Sequence, residues 1–140
     1  MNSLKLLVVF NFIIVVFNFI FIIRNFFTNY RGSEKLYINV TIIVLLIVSL
    51  IISATCVLEG KRGIDIIIAL KNPDRFNLSA EKLQAYKMNL DNISTKIPIN
   101  TIVSIGISIV AYLLFANIIH NKKKKLRKSE GWDFEKVRKD

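Results

Sequence analysis

The sequence predicts an all-α membrane protein: three transmembrane helices, with a short extracytoplasmic amphipathic helix between the second and third. Three observations carry this class. Of 140 residues, 53% are hydrophobic although the formal net charge is +10. The apolar residues collect in three unbroken runs, 6–23, 37–58 and 97–119, of 18, 22 and 23 residues. None of these runs contains Asp, Glu, Lys, Arg or His. At helical rise they extend about 27, 33 and 34 Å, against a hydrocarbon core of about 30 Å. A mean hydropathy of +0.47 beside a pI near 9.9 therefore describes a chain that is amphipathic in blocks, whose basic excess faces lipid headgroups rather than nucleic acid.

Residues 1–23 form the first helix, with Lys5 at its edge, where a long side chain snorkels to the interface. The apolar stretch is too long for a signal peptide, and no small-x-small cleavage pattern follows it, so it is expected to persist as a helix. Asn11 and Asn18 stand seven residues apart and share one face. An amide in hydrocarbon costs several kcal/mol unless it finds a partner, so this face is expected to point into the bundle. Seven of the ten Phe lie between Phe10 and Phe27, which makes the rest of the helix a wall toward lipid or a partner.

A cytoplasmic loop, 24–36, leads to the second helix, 37–58. Here Ser49, Ser53 and Cys56 recur at i, i+4 and i+7, a small-residue seam that admits a neighbouring backbone. The third helix, 97–119, carries a longer seam of Thr101, Ser104, Ser108 and Ala111, so the second and third helices are the expected intimate pair. Pro98 suits the first turn of that helix, where no amide hydrogen bond is lost.

The 38-residue connection 59–96 is the one segment large enough for structure outside the bilayer. Its apolar stretch 64–70, bounded by Gly60 and Gly63 and by Asn72-Pro73-Asp74, is too short to span and is expected as a turn or two in the interface. Ser79 can cap a helix to about Asp91, with Glu81 in its first turn and Leu83, Tyr86, Leu90 and Ile93 on one face. That stripe packs on the membrane surface, on the connection's own residues, or on an outside partner.

Orientation follows from the Lys/Arg distribution. Arg24, Arg31 and Lys35, with the nine basic residues of the tail 120–140, place 12 positive charges on one side against 8 on the other. The positive-inside rule puts the richer side in the cytoplasm, so the N-terminus and the 59–96 connection are outside; Lys5 with the N-terminal amine argues the other way. Lys122, Lys123, Lys124, Lys125, Arg127 and Lys128 follow the third span closely and are expected to contact anionic headgroups. Trp132, Phe134 and Val137 beyond them read as a short ordered terminus that docks at the interface or on a cytoplasmic partner.

Chemistry-bearing groups are sparse. One Cys and one His (Cys56, His120) allow no disulfide and no Cys/His metal set. The hydroxyls of the spans have no His, Asp or Lys beside them to activate a nucleophile, and the carboxylates Asp65, Asp74, Glu81 and Asp91 are scattered. No catalytic residue, cofactor or metal is therefore expected. Asn39, Asn77 and Asn92 head glycosylation-type triplets, of which the last two lie outside the spans. Ile, Lys, Asn and Phe make up 61 of 140 residues, a bias expected of AT-rich coding sequence and hence of a low-GC bacterium and its cell membrane.

The expected role is a non-enzymatic accessory or interaction subunit of a membrane assembly. Its partners would be the anionic bilayer and another membrane protein or a second copy, with no nucleic acid. The size, three spans, outward N-terminus and basic cytoplasmic tail are also similar to phage holins, which gives a pore-forming alternative, although the 59–96 connection is long for that group. A bacteriocin immunity or receptor-shielding role, with the outer helix meeting the toxin or its target, is the third reading.

Overall fold

The computed structural model describes residues 2–29 and 36–137. Among these residues it is all-helical: α1 (Asn2–Asn29), α2 (Leu36–Lys71) and α3 (Ala80–Val137), with a 3-10 turn at Asp74–Phe76 joining α2 to α3. All three helices are long and apolar enough to cross a membrane. Arg31 and Lys35 of the first loop, and Arg138 and Lys139 of the tail, lie outside the described residues.

The helices are longer than the apolar runs, and this changes the middle of the chain. Residues 64–70 do not form a separate turn or two. They continue α2 without a break through Gly60 and Gly63, which lie inside the helix rather than at its end. The expected short amphipathic helix is likewise not a separate element, because it is the first part of α3. The physical reason is packing. Ile66 and Ile93 are buried together in one cluster, with Ile64, Ile67, Leu70, Tyr86 and Leu90 against them, so the stripe on α3 covers the apolar face of the α2 extension. Of the surfaces open to that stripe, it has taken the connection's own residues.

The hairpin turn follows from local chemistry. Pro73 opens the 3-10 turn, and Asn77 adopts a left-handed conformation (φ 45°), which Asn tolerates better than most residues. Ser79 then stands just before α3: its carbonyl accepts from the Leu83 amide at 2.9 Å and its Oγ from the Lys82 amide at 3.4 Å.

Pro98 sits deep inside α3 rather than in a first turn. It can donate no amide hydrogen, so the helix tolerates one missing backbone bond there. The buried positions of α3 advance in alternating steps of three and four, as in a coiled coil, except for two consecutive fours at Ile93, Ile97 and Thr101 that bracket Pro98. In α2 the corresponding series is Asn39, Ile42, Leu46, Ser49, Ser53, Cys56, Gly60 and Gly63. α2 packs along both other helices, while α1 and α3 touch far less.

Most of the Phe-rich surface of α1 faces outward, including Phe10, Phe12, Phe17, Phe19, Phe26 and Phe27. Phe21 turns inward and meets Tyr112 at a tilt and Phe115 edge to face, with ring centroids 4.5 and 5.7 Å away. Beyond His120 the backbone of α3 stays helical through Val137. Lys124 is exposed, and the side chains of Lys122, Lys123, Lys125, Arg127, Lys128, Trp132, Phe134 and Val137 lie outside the described set.

Candidate functional site

The inward face of α1 repeats every seven residues: Leu4, Asn11, Asn18 and Asn25 are all buried. Seven residues are two helical turns, so these side chains form a ladder facing the other two helices. Each amide must find partners away from water. α2 and α3 meet the ladder with small hydroxyl residues, whose short side chains bring the backbones close while supplying hydrogen-bonding groups.

The fullest rung is centred on Asn18. Its Nδ2 donates to Ser49 Oγ at 2.9 Å. Its Oδ1 accepts from Tyr112 Oη at 2.8 Å and from Ser108 Oγ at 3.2 Å, using both lone pairs. Ser49 Oγ lies 2.7 Å from Ser104 Oγ and 2.8 Å from Ser108 Oγ, and Ser53 Oγ lies 2.6 Å from Ser104 Oγ. A hydroxyl has one proton, so these distances are met by a circuit rather than by every pair at once. If Ser53 donates to Ser104 Oγ, Ser104 to the Ser49 carbonyl at 3.0 Å, and Ser49 to the Ser104 carbonyl at 2.9 Å, every donor has an acceptor. Ser49, Ser53 and Ser104 are wholly buried, and Ser108 nearly so. Ser49 lies midway between Tyr37 and Lys61, and Ser108 midway between Lys96 and His120, so the circuit sits near the middle of both uncharged runs.

The Asn11 rung is sparser. Asn11 Nδ2 donates to Thr101 Oγ1 at 2.8 Å and to the Leu7 carbonyl of its own helix at 2.9 Å, while Thr101 Oγ1 donates to the Ile97 carbonyl at 2.7 Å. Asn11 Oδ1 is buried with no hydrogen-bond partner among the described residues. Ala111, the last member of the expected seam, makes no polar contact. It is buried in an apolar cluster with Ile42, Leu46, Phe115 and Ile118.

The structure thus brings Asn18, Ser49, Ser53, Ser104 and Ser108 into one network, pairs Asn11 with Thr101, and sets Ala111 in the apolar layer beside them. Three contributors are not evident from composition alone: Asn25, Tyr112, and the glycine pair of α2. Asn25 continues the seven-residue period just past Arg24, beyond the end of the apolar run. Tyr112 lies one residue from the small-residue seam, and only the third helix's contact with Asn18 reveals its role. Gly60 and Gly63 are closely approached by α1 and α3: a Cβ on Gly60 would meet Val8 Cγ2, and one on Gly63 would lie 2.9 Å from Leu4 Cδ2 and 3.1 Å from Ile93 Cγ2.

Chemically the network can hold helices in register. Its members are hydroxyls and amides with no charged group in the circuit. Among the described residues no group of three His, Cys, Asp or Glu is placed to hold a metal ion. Cys56 is a buried free thiol. Comparison with family models, curated proteins and solved structures gives no match.

Proposed function

We propose that this chain is a non-enzymatic, multi-pass protein of a bacterial cell membrane that acts as an accessory or interaction subunit of a membrane assembly. The N-terminus lies outside and the basic tail in the cytoplasm, where Lys122 to Lys125, Arg127 and Lys128 hold it to the anionic leaflet. The contact surface is the hairpin built from the end of α2 and the start of α3, and its partner is another membrane protein or a second copy of this chain.

One observation carries the reading: the polar side chains Asn11, Asn18, Ser49, Ser53, Thr101, Ser104 and Ser108 are buried against one another between the helices. A lesion-forming protein needs a polar face to line water, and here that face is already consumed inside a single chain. The outward surface of the spans is apolar, with exposed residues such as Phe12, Phe17, Ile51, Val44, Ile102 and Leu113. The hairpin, in contrast, is a helical extension carrying exposed Lys82, Gln84, Lys87, Met88 and Asn89 beyond the uncharged runs 37–58 and 97–119. Such a projection fits contact with something beyond the bilayer.

The test is expression in a bacterium with a potential-sensitive dye, combined with a photo-cross-linking residue at Ala85 or Met88. The expected result is an undisturbed membrane potential and a discrete cross-linked species from the hairpin positions, without a counterpart from Ile102 on the lipid-facing side. Abrupt depolarisation with no hairpin adduct would overturn the reading and promote the pore.

A further inference from the structure

At the base of the hairpin, Lys5, Lys61, Arg62 and Lys96 come from three different helices, yet packing sets them at one level. Leu4, the neighbour of Lys5, meets Gly63; Val8 meets Gly60; Ile97, the neighbour of Lys96, comes within 3.5 Å of a Cβ placed on Gly60; and Ile93 meets Gly63. Lys61 and Arg62 lie between the two glycines. The four cations therefore fall within about one to two helical turns of each other along the bundle. All four are exposed, and none makes an ion pair within the described residues. One acid shares the level, the half-buried Glu59; Asp65 and Asp91 stand farther toward the hairpin tip. At the belt and directly below it apolar side chains are exposed, Leu6 at its level and Leu58, Ile99 and Ile102 beneath.

We infer that this belt is a binding surface for anionic phospholipid, with headgroup phosphates contacting Lys5, Lys61, Arg62 and Lys96 around the bundle and acyl chains lying on Leu6, Leu58, Ile99 and Ile102. The charge is complementary to a phosphodiester, and the change from cations to apolar surface across one level matches the amphipathic form of a lipid rather than that of a soluble anion. Because the cations sit on α1, α2 and α3, anionic headgroups contact all three helices at the level where the hairpin leaves the membrane. The surface is distinct from the basic tail, which lies at the opposite end of the third span, and it requires no hairpin partner.

The experiment is a native mass spectrometry titration of delipidated full-length protein with phosphatidylglycerol, phosphatidylcholine and, separately, inorganic phosphate. Three proteins are compared: wild type, K5Q/K61Q/R62Q/K96Q, and K122Q/K123Q/K124Q/K125Q. The belt substitutions are exposed, and helical circular dichroism checks that the fold is retained. The expected result is preferential binding of phosphatidylglycerol that weakens at least about tenfold in the belt variant and persists in the tail variant. Unchanged affinity in the belt variant overturns the inference. So does phosphatidylcholine binding as tightly, or inorganic phosphate displacing the lipid at millimolar concentration, since the belt would then not be selective for an anionic lipid.

Discussion

Replacing Gly60 with Leu should detach α1 from α2 and cost the bundle about 3 kcal/mol or more, because overpacking a close helix contact commonly costs 1–3 kcal/mol and this site has no free space. The first added carbon already meets the β-branched side chain of Val8, with Ile97 Cδ1 3.5 Å away on the third helix. A β-branched side chain has few rotamers in a helix, so Val8 cannot turn aside without the backbone moving. Gly60→Ala gives a milder form of the same effect, and Val8→Ala, which removes the obstructing methyl groups, should relieve most of it. Gly106 is the control: nothing lies within 4 Å of a Cβ placed there, so Gly106→Ala should be neutral or stabilise by up to about 1 kcal/mol. The measurement is reversible unfolding in mild detergent, arranged as a double-mutant cycle for positions 8 and 60. Additive losses would mean that these two helices do not meet at Gly60.

The second large effect is expected at Asn18, and it separates two asparagines that the sequence presents as equals. Asn18→Leu strands the hydroxyl of Tyr112, leaves Ser108 only Ser49 Oγ to donate to, and removes the amide donor to Ser49. Single interhelical hydrogen bonds in membranes are worth about 0.6 to 1.7 kcal/mol, and a buried orphan costs about 1–3 kcal/mol, so a loss of about 2–3 kcal/mol follows. Asn11→Leu should cost under about 1 kcal/mol, because it also removes a buried acceptor that has no partner. Ser104→Leu, inserting a bulky group at a wholly buried position between α2 and α3, should fall with Asn18→Leu. Ile109→Leu, on the exposed side of α3, should be nearly silent. Thermal unfolding of the purified variants in one detergent ranks them. Equal losses for Asn11→Leu and Asn18→Leu would show that the hydrogen-bond network does not determine bundle stability.

The spans are legible in the sequence because long uncharged runs have one physical solution in a bilayer, and the seven-residue spacing of Asn11 and Asn18 is enough to give α1 an inward face. What the sequence conceals is length beyond the apolar runs. Gly60, Gly63 and Asn72-Pro73-Asp74 have the composition of boundaries, yet only the last is one. The two glycines are needed inside the helix because Leu4, Val8 and Ile93 press against them, and that requirement comes from another part of the chain. The same holds for the joined α3: a capping Ser79 and an apolar stripe are visible locally, but continuity through Pro98 depends on α2 extending alongside to cover the stripe. Asn25 escapes for a simpler reason, since Arg24 ends the uncharged run one residue before the ladder's last rung. Tyr112 becomes part of the site only through a partner on α1.

The proposed topology is a three-span chain with the α2–α3 hairpin outside the membrane and the basic helical extension in the cytoplasm. It is tested most directly by thiol labelling of intact cells, using single cysteines at Asn77, Ala85 and Ser129 in a Cys56→Ser background. Asn77 and Ala85 are exposed on the hairpin, so an impermeant maleimide should label both in intact cells. Ser129 should react only after permeabilisation. Substituting Gln for Lys122 to Lys125 should then give a mixed population, because the densest Lys/Arg cluster beside a span is gone. Labelling of Ser129 in intact cells, with Asn77 and Ala85 protected, would contradict the orientation and the outward hairpin together.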